Sequence, residues 1–393
     1  MSDRLEARAV ARMTDLVGVA GSRGRTVGSW VDLARSMGIA ATTRRLRGGR
    51  GGGVLDASVR NAVYAGIWRD AAAAVGAELH ELGSGFLEVR RGGPAAKLWQ
   101  QVVPLDDPVT LRLALDKPVV HELLTKASVP VPEHVEWSFS DPAPALAFMA
   151  RVGGPTVVKA ASGTGGGEGT TAGVDTPARL MRARLQAGRF GGRLLIERQV
   201  PGPVHRLLFL DGELIDVIRH VPPRLEGDGR STVQELLDTE NERRVRAEGA
   251  AGLSLLDVGL DGVFTLARQG LRLDSVVPAG TTIAVQTVTN DNRIEDTETI
   301  TEPLDAELVE AARRAAAAVG LRLAGVDVIT PDTSQSLERG GGVVAEVNGT
   351  PGIHHHYHVA DAAKATPVAV PILERVLQGL ERANPPTERE TVA

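Results

Sequence analysis

The chain contains no cysteine, and this excludes disulfide bridges, thiolate zinc sites, iron–sulfur clusters and a cysteine nucleophile. It has no run of ~18 apolar residues, so no membrane-spanning helix is expected. The charged opening, MSDRLEARAV, is not followed by an apolar stretch, so no signal peptide is expected either. These absences predict a soluble, cytoplasmic protein that does not bind a membrane.

An excess of either charge is also missing, because 44 basic residues stand against 49 acidic residues that are spread along the chain. Without a global positive field, nucleic acid is not an expected partner. Lysine itself is scarce, since only five of the 44 basic residues are lysine. A lysine beside a candidate ligand site is therefore especially informative in this chain.

The length of 393 residues and the hydrophobic content of 42% allow two or three domains. The first 78 residues are rich in Ala and Arg, and their spacing predicts a helix most clearly from Val59 to Val75. A Gly/Arg-rich segment at 42–53 is interpreted as a loop. After Leu82, short strands alternate with helices, which is typical of an α/β or α+β fold.

Local signals predict several individual elements. The pair Asp211-Gly212 lies between two alternating apolar runs and predicts the turn of a β-hairpin. The alanine-rich segment from Ala306 to Val319 predicts a helix. The segments LRLDSV and TIAVQTV predict a pair of strands.

A glycine-rich segment follows a strand that is rich in β-branched residues, in the sequence VVKAASGTGGGEGTT. Its backbone N–H groups can converge on phosphate oxygens because no side chains intervene. It is neither a Walker A loop, since no glycine precedes a lysine, nor a complete dinucleotide-binding fingerprint. Lys159 supplies a compact ammonium group just before the glycines. We predict a loop that covers nucleotide phosphates, with a flexible surface loop as the alternative.

Three oxygen-bearing side chains form a candidate metal site. Glu346 and Asn348 are two apart in the strand GVVAEVN and so face the same way. Asp327 lies in the strand AGVDVI, and a polar turn of suitable length joins the two strands. Two carboxylates and an amide oxygen suit magnesium, which binds hard oxygens together with water and phosphate. The alternative is that these are ordinary polar residues at strand ends.

Four histidines follow Pro351 and Gly352 in the segment TPGIHHHYH. Because adjacent side chains point in different directions, they are not expected to form a transition-metal site by themselves. We interpret His354, His355 and His356 as part of a loop that faces a substrate. No GxSxG motif is present, so a serine hydrolase is not expected.

Taken in order, these segments resemble the ATP-grasp ligases, most closely the ATP-grasp portions of cyanophycin synthetase and of bifunctional glutathione synthetase. The resemblance extends from about Leu82 to Val376 and depends on several short motifs in one order. It implies an ATP-grasp fold, in which two α+β subdomains hold ATP, preceded by a small N-terminal domain. The motifs are LALDKPVVHELLTKASVPVP, TVVKA with its glycines, IERQVPGPVHRLLFL, VIRHVPP, GDGRSTVQELL, LDSVVPAG, AGVDVI and AEVNGTPGI.

The resemblance also divides the chain and assigns roles to residues. Arg206 and Arg219 match arginines near the transferred phosphate and the acyl group, and the metal roles fall to Asp327, Glu346 and Asn348. Val204 replaces an acidic residue that contacts ribose in relatives, so a neighbour such as His205 would take over that contact. The implied nucleotide-binding residues are Lys117, Lys159, Gly163, Gly165, Gly166, Gly167, Glu197 and the backbone of Val200. The implied segments are an N-terminal domain at 1–78, ATP-grasp parts at 79–200 and 201–382, and a disordered tail at 383–393.

The implied reaction joins a small-molecule carboxylate and an amine, such as amino acids or short peptides, through a peptide or γ-glutamyl amide bond. ATP and one or two Mg²⁺ ions, or Mn²⁺ in their place, would be the cofactors. An acyl phosphate would be the intermediate, and ADP and phosphate would be released. The protein is expected to be a homodimer. Two alternatives stay open: a kinase of ATP-grasp type, and a nucleotide- or RNA-binding module without turnover.

Overall fold

The computed structural model describes residues 57–165, 167–246, 256, 258–289 and 296–383. The Gly/Arg-rich loop predicted at 42–53, the glycine at 166 and the tail from Asn384 lie outside these residues. Helices and strands alternate along most of the described chain. This mixed architecture confirms the predicted α+β class.

The helices of the described residues are α1 (Ala57–Ala74), α2 (Pro108–Ala114), α3 (Lys117–Lys126), α4 (Ala143–Val152), α5 (Pro177–Gly188), α6 (Val233–Arg246), α7 (Leu260–Arg268), α8 (Ala306–Val319), α9 (Leu337–Gly340) and α10 (Ala369–Ala383). The strands are β1 (Glu78–Gly83), β2 (Phe86–Arg90), β3 (Ala96–Trp99), β4 (His134–Ser138), β5 (Thr156–Ala160), β6 (Thr171–Val174), β7 (Arg193–Arg198), β8 (Val204–Leu210), β9 (Glu213–His220), β10 (Arg224–Glu226), β11 (Thr282–Ala284), β12 (Thr297–Thr299), β13 (Leu323–Ile329) and β14 (Val343–Asn348). Short 3-10 turns span Ile353–His356 and Ala362–Lys364.

Two antiparallel sheets carry most of the site. One has the strand order β4-β7-β5-β6, and the other has the order β12-β9-β8-β13-β14. Helix α8 packs on one face of the five-stranded sheet, where its alanines share a core with Val326 and Leu207. Because side chains alternate along a strand, Arg206 and Asp327 point to the opposite face. That face is the one that contributes to the site.

Helix boundaries follow local capping signals. The side chain of Asp116 accepts a hydrogen bond from the backbone N–H of Val119 and so caps α3. Asp305 caps α8, and Gly320 ends that helix with a φ of +85°. The cap at Asp116 fixes where α3 begins, and therefore where Lys117, its first residue, is presented.

The hairpin prediction is confirmed, because Asp211 and Gly212 connect β8 to β9 and both have positive φ values. The predicted pairing of LRLDSV with TIAVQTV is wrong. Strand β11 pairs with β10 instead, while Ser275 accepts a backbone hydrogen bond from Val233 at the start of α6. The backbone of the LRLDSV segment is thus hydrogen-bonded to the start of α6 and does not pair with β11, which pairs with β10 instead.

A separate hydrophobic core holds α1 against the five-stranded sheet. Tyr64 and Trp68 of α1 are buried in it, together with side chains of the three-stranded sheet β1-β2-β3. Leu208 of β8 and Ile372 of α10 belong to the same cluster. This core brings α1 beside the sheet face that bears Arg206. No helix among the described residues is both long and apolar enough to cross a membrane.

Candidate active site

A cleft of about 260 Å³ lies between the four-stranded and the five-stranded sheets. Its walls come from β5 and β7 of the first sheet, from β13 and β14 of the second, and from the segment 199–203 that connects β7 to β8. The segment 287–289 forms a further wall. Five charged residues predicted from the sequence line this one cleft: Lys117, Lys159, Glu197, Asp327 and Glu346.

The two lysines reach the cleft from different elements, and each faces an acidic side chain. Lys117 Nζ lies 3.6 Å from Glu346 Oε1 and donates to the carbonyl oxygen of Thr164 at 3.3 Å. Lys159 projects from β5, and its Nζ lies 2.7 Å from Glu197 Oε2. Burial lowers the pKa of the Lys159 ammonium, but Glu197 and Glu346 outweigh burial, so the pKa is raised. Lys159 is therefore a fixed positive charge at neutral pH.

Glu197 on β7 is buried and has one oxygen to spare. While Oε2 pairs with Lys159, Oε1 accepts no hydrogen bond from the residues that the structure describes. His121 Nε2 lies 3.8 Å from Oε1, and burial lowers the pKa of His121 to about 4 against the opposing effect of Glu197. A buried acceptor without a donor can bind an N–H group of a ligand, which suits the adenine contact implied for Glu197.

The segment that follows β7 lines the cleft with backbone and apolar side chains. Val200 and Val204 both contribute to this wall, whereas His205 does not line the cleft. Gly202 has a φ of +121°, and a Cβ here would lie 2.6 Å from the carbonyl carbon of Thr330. Glycine is therefore required for this segment to pack against the end of β13.

The glycine-rich loop is tied to α3 by the contacts of Lys117 with Thr164. Gly165 and Gly167 line the cleft beside these residues. Gly163 has a φ of +76° and shapes the start of the loop without lining the cleft. The predicted Gly166 lies outside the described residues. The loop thus presents backbone, rather than large side chains, beside Lys117.

Asp327 is the centre of a polar group on the five-stranded sheet. It stands opposite Glu346 on β14 and opposite Arg206 on β8. Arg206 Nε and Nη2 each donate to one oxygen of Asp327 at 2.7 Å. Asn348 Nδ2 donates to Asp327 Oδ2 at 3.0 Å. The strand register therefore brings the three predicted metal ligands and Arg206 together.

The donors of this group fit a hard divalent cation. Asp327 and Glu346 supply carboxylate oxygens, and Asn348 can supply its amide oxygen. Among the described residues, no three His, Asp or Glu side chains form a metal cluster by themselves. A cation here would therefore also need the amide oxygen of Asn348 and oxygens of a bound phosphate as ligands. It would bind the carboxylate of Asp327, which also accepts hydrogen bonds from Arg206.

Arg219 does not join this group, which corrects its expected position near the transferred phosphate and the acyl group. A β-bulge leaves Ile215 of β9 unpaired and shifts the register, so Arg219 stands opposite His205 and points to the other sheet face from Arg206. There Arg219 forms an ion pair with Glu298 of β12. The next residue of β9, His220, points instead to the sheet face that bears Arg206.

His220 forms a row of contacting imidazole rings with His355, which it meets edge-on, and His354. The ring centroids of His220 and His355 are 5.0 Å apart, and those of His355 and His354 are 4.0 Å apart. The hydroxyl of Tyr64, on α1, lies 2.7 Å from His354 Nδ1. We call His220, His354 and His355 the histidine row. No local sequence signal marks His220 or Tyr64, because they approach the row only through tertiary packing.

His356 does not face a substrate, contrary to the sequence-based expectation. Its side chain is buried, and Nδ1 lies 2.5 Å from Asp216 Oδ2 on β9. Thr366 donates to the other oxygen of Asp216 at 2.9 Å. His356 therefore holds its own turn against the sheet, while its neighbours His354 and His355 form the row.

Asp261 is a further buried acid that the sequence does not reveal. One oxygen accepts a backbone hydrogen bond from Ala172 at 2.9 Å. The other accepts backbone hydrogen bonds from Thr287 and Val288 at 2.7 and 3.0 Å. Because all three donors belong to residues that line the cleft, Asp261 connects two of its walls.

The chain is similar in sequence to proteins of two named kinds. A cyanophycin synthetase of Synechocystis sp. is 31% identical over 268 residues, which cover 67% of this chain and 30% of the relative. The glutathione biosynthesis bifunctional protein of Streptococcus thermophilus is 27% identical over 281 residues, which cover 67% of this chain and 37% of the relative. The chain thus spans about a third of the length of these curated relatives. No family model matches the chain.

A solved structure shows the same fold. The bifunctional glutathione synthetase from Pasteurella multocida superposes with a TM-score of 0.51 at 23% identity, covering 80% of this chain and 44% of that one. Together with the cleft between two antiparallel sheets, this likeness shows an α+β fold of the ATP-grasp type. The resemblance to the ATP-grasp ligases stated from the sequence motifs is confirmed by these relatives.

Proposed function

We propose that the chain is an ATP-dependent carboxylate–amine ligase that joins small amino-acid or peptide substrates through an amide bond. The observation that carries this proposal is the convergence of Lys117, Lys159, Asp327 and Glu346 on a single cleft. Two cations and two oxygen donors in one enclosed space suit a triphosphate with its metal ions. The relatives named cyanophycin synthetase and glutathione biosynthesis protein support a ligase rather than a passive binding module.

The proposed nucleotide site uses the charges of the cleft. Lys117 and Lys159 would bind phosphate oxygens, and the backbone of Gly165 and Gly167 would cover them. Glu197 Oε1 would accept a hydrogen bond from the adenine amino group. Magnesium, when bound by Asp327, Glu346 and Asn348, would neutralise the triphosphate and hold its terminal phosphoryl group in place.

The proposed reaction has two steps. An oxygen of the substrate carboxylate attacks the γ-phosphorus of ATP, the bond from that phosphorus to the β–γ bridging oxygen breaks, and ADP leaves. The nitrogen of the amine then attacks the acyl carbon, phosphate leaves with the acyl oxygen, and the amine loses a proton. Arg206 lies beside Asp327, where its guanidinium can stabilise charge on the acyl phosphate.

Product analysis tests this proposal. The full chain would be incubated with ATP, Mg²⁺ and pairs of amino acids, with ADP release measured and the products identified by mass spectrometry. We expect ADP release that requires both a carboxylate and an amine, together with a product whose mass is that of the two substrates less one water. A stable phosphorylated product that forms without an amine would instead support the kinase, and nucleotide binding without turnover would support the binding module.

A further inference from the structure

One wall of the cleft is apolar where β8 and β13 meet the segment 199–203. Arg206 of β8 stands opposite Asp327 of β13. Two residues along the same strands, Val204 stands opposite Ile329, and both line the cleft. Because side chains alternate along a strand, the two pairs point to the same sheet face, about 6–7 Å apart. The Val204–Ile329 pair therefore adjoins the proposed metal site.

This wall bears no carboxylate that could hold the hydroxyls of a sugar. The acids that line the cleft among the described residues are Glu197, Asp327 and Glu346, and each already faces a lysine or an arginine. The wall itself is built from aliphatic side chains, prolines and a glycine: Val200, Pro201, Gly202, Pro203, Val204, Pro222 and Ile329. Its contacts with a ligand are thus mainly apolar.

The polar residues next to this wall have their side chains directed elsewhere. Gln199, at the start of the segment, uses its Oε1 to accept the backbone N–H of Gly173 at 2.8 Å. His205 directly follows Val204, but its side chain is buried on the other face of β8. His205 therefore points away from the cleft.

We propose that the cleft recognises the base and the phosphates of its nucleotide but not the sugar, so that 2′-deoxyATP is bound and used about as well as ATP. The terminal phosphates lie with the metal ligands and the adenine lies at Glu197 Oε1, so the ribose that joins them lies against Val204 and Ile329. Val204 leaves the 2′-hydroxyl without an acidic partner. The inference rests on the nucleotide site of the ligase proposed above and specifies the nucleotide that it takes.

An apolar wall distinguishes poorly between a sugar with this hydroxyl and one without it. A site that hydrogen-bonds a hydroxyl rejects the analogue that lacks it, because the buried polar group of the site loses its partner. Val204 and Ile329 have no side-chain polar group to leave unpaired. Both are only half-buried, so water can still solvate a hydroxyl beside them. Removal of the 2′-hydroxyl should therefore change the binding affinity little.

Direct binding tests this inference without the need for turnover. The Kd values of ATP and of 2′-deoxyATP would be measured for the full chain by isothermal titration calorimetry, with Mg²⁺ present and no amino acid. We expect the two values to agree within about 3-fold. Val204→Glu adds a carboxylate to the wall and should bind ATP about 10-fold more tightly than 2′-deoxyATP, the effect of one hydrogen bond to a charged group.

Two control variants separate the new carboxylate from its side effects. Val109→Glu adds the same side chain at an exposed position of α2 that does not line the cleft, and it should keep the wild-type ratio of Kd values. Val204→Met changes the size of the wall residue without adding a charge. Its two Kd values should also stay close to each other, even if both are higher than in the wild type.

The possible outcomes distinguish this inference from the ligase function. A wild type that binds ATP more than about 10-fold more tightly than 2′-deoxyATP would overturn the inference, whether or not the Val204 variants fold. A folded Val204→Glu variant that binds the two nucleotides equally would overturn the role of Val204. Equal binding in the wild type, but no ADP release with any pair of amino acids, would overturn the ligase and leave the inference about the sugar standing.

Discussion

The nucleotide cleft and the histidine row lie side by side, yet they handle charge in different ways. In and beside the cleft every principal cation faces an acid: Lys117 faces Glu346, Lys159 faces Glu197 and Arg206 faces Asp327. In the row the side chains are neutral imidazoles that contact one another ring to ring. The ion pairs hold charged groups of both signs in and beside the cleft without a ligand, whereas the row presents neutral rings.

This difference indicates how the two halves of the site select their ligands. Paired charges can exchange protein partners for phosphate and metal ions, so the cleft is prepared for a highly charged ligand. A neutral wall neither repels nor strongly attracts an amine, and it can distinguish substrates by shape and hydrogen bonding. We therefore expect substitutions in the cleft to affect turnover most, and substitutions in the row to affect the preference among amine substrates.

Removal of Lys159 should have the largest effect. We expect Lys159→Met to lower kcat/KM for ATP turnover by about 10²- to 10³-fold, because a preorganised charge on the phosphates is lost. It should also destabilise the fold by about 3–5 kcal/mol, since Glu197 would be a buried carboxylate without its ion pair. ADP release and urea denaturation measure the two effects.

A double variant separates these two effects. Lys159→Met combined with Glu197→Gln should recover most of the stability but none of the turnover. Lys126→Met is the control, because this lysine is exposed on α3 and pairs with Glu122. Near-wild-type turnover in either Lys159 variant would show that the cleft does not use this charge for phosphate.

The neighbours His355 and His356 test the boundary of the row. We expect His356→Ala to lower the free energy of unfolding by about 2–4 kcal/mol, because it leaves Asp216 buried without its partner and creates a cavity. Acceptor preference should not change. His355→Ala should instead shift the preference among acceptors with little loss of stability. Urea denaturation measures the stability, and activity with a panel of amine substrates measures the preference. A large loss of stability in His355→Ala, together with a changed amine preference in His356→Ala, would show that the roles are reversed.

Much of the cleft could be predicted because its residues lie in short motifs with local geometry. Lys159 precedes its glycine loop on one strand, and Glu346 and Asn348 are two apart on another. The sequence predicts helix α8 with the bounds that the structure shows, because its apolar spacing and the glycine that follows it are local signals.

The rest of the site depends on register and packing that no local pattern specifies. The Asp211-Gly212 pair predicts the hairpin turn, but no local signal indicates the bulge at Ile215. This one extra residue exchanges the sheet faces of Arg219 and His220. Tyr64 reaches His354 only because a core of residues distant in sequence holds α1 in place. A sequence motif therefore located the histidine loop but not its partners.

Asp261 links two walls of the cleft and should affect nucleotide affinity. We expect Asp261→Asn to raise the KM for ATP by about 10-fold, because an amide nitrogen cannot accept the backbone hydrogen bonds of Thr287 and Val288 or of Ala172. The KM for the amine substrate should stay unchanged. Asp274→Asn, at an exposed position, is the matched control. Equal KM values for ATP in wild type and Asp261→Asn would mean that the two walls are held by other contacts.

The smallest effect concerns pH and the histidine row. His220, His354 and His355 have folded-state pKa values well below 6.5, mainly through burial, while Arg60 and Arg206 face the row with positive charge. The unfolded chain therefore binds more protons below pH 6.5, and the stability that is present above this pH is lost as the pH falls toward the folded-state values. Each such histidine contributes about 1.4 kcal/mol per pH unit in this window. Between pH 7.5 and 5.5, His355→Gln should lose about 1 kcal/mol less stability than the wild type in urea denaturation. Parallel losses in both proteins would show that His355 titrates normally when folded, and that the row is not a neutral wall.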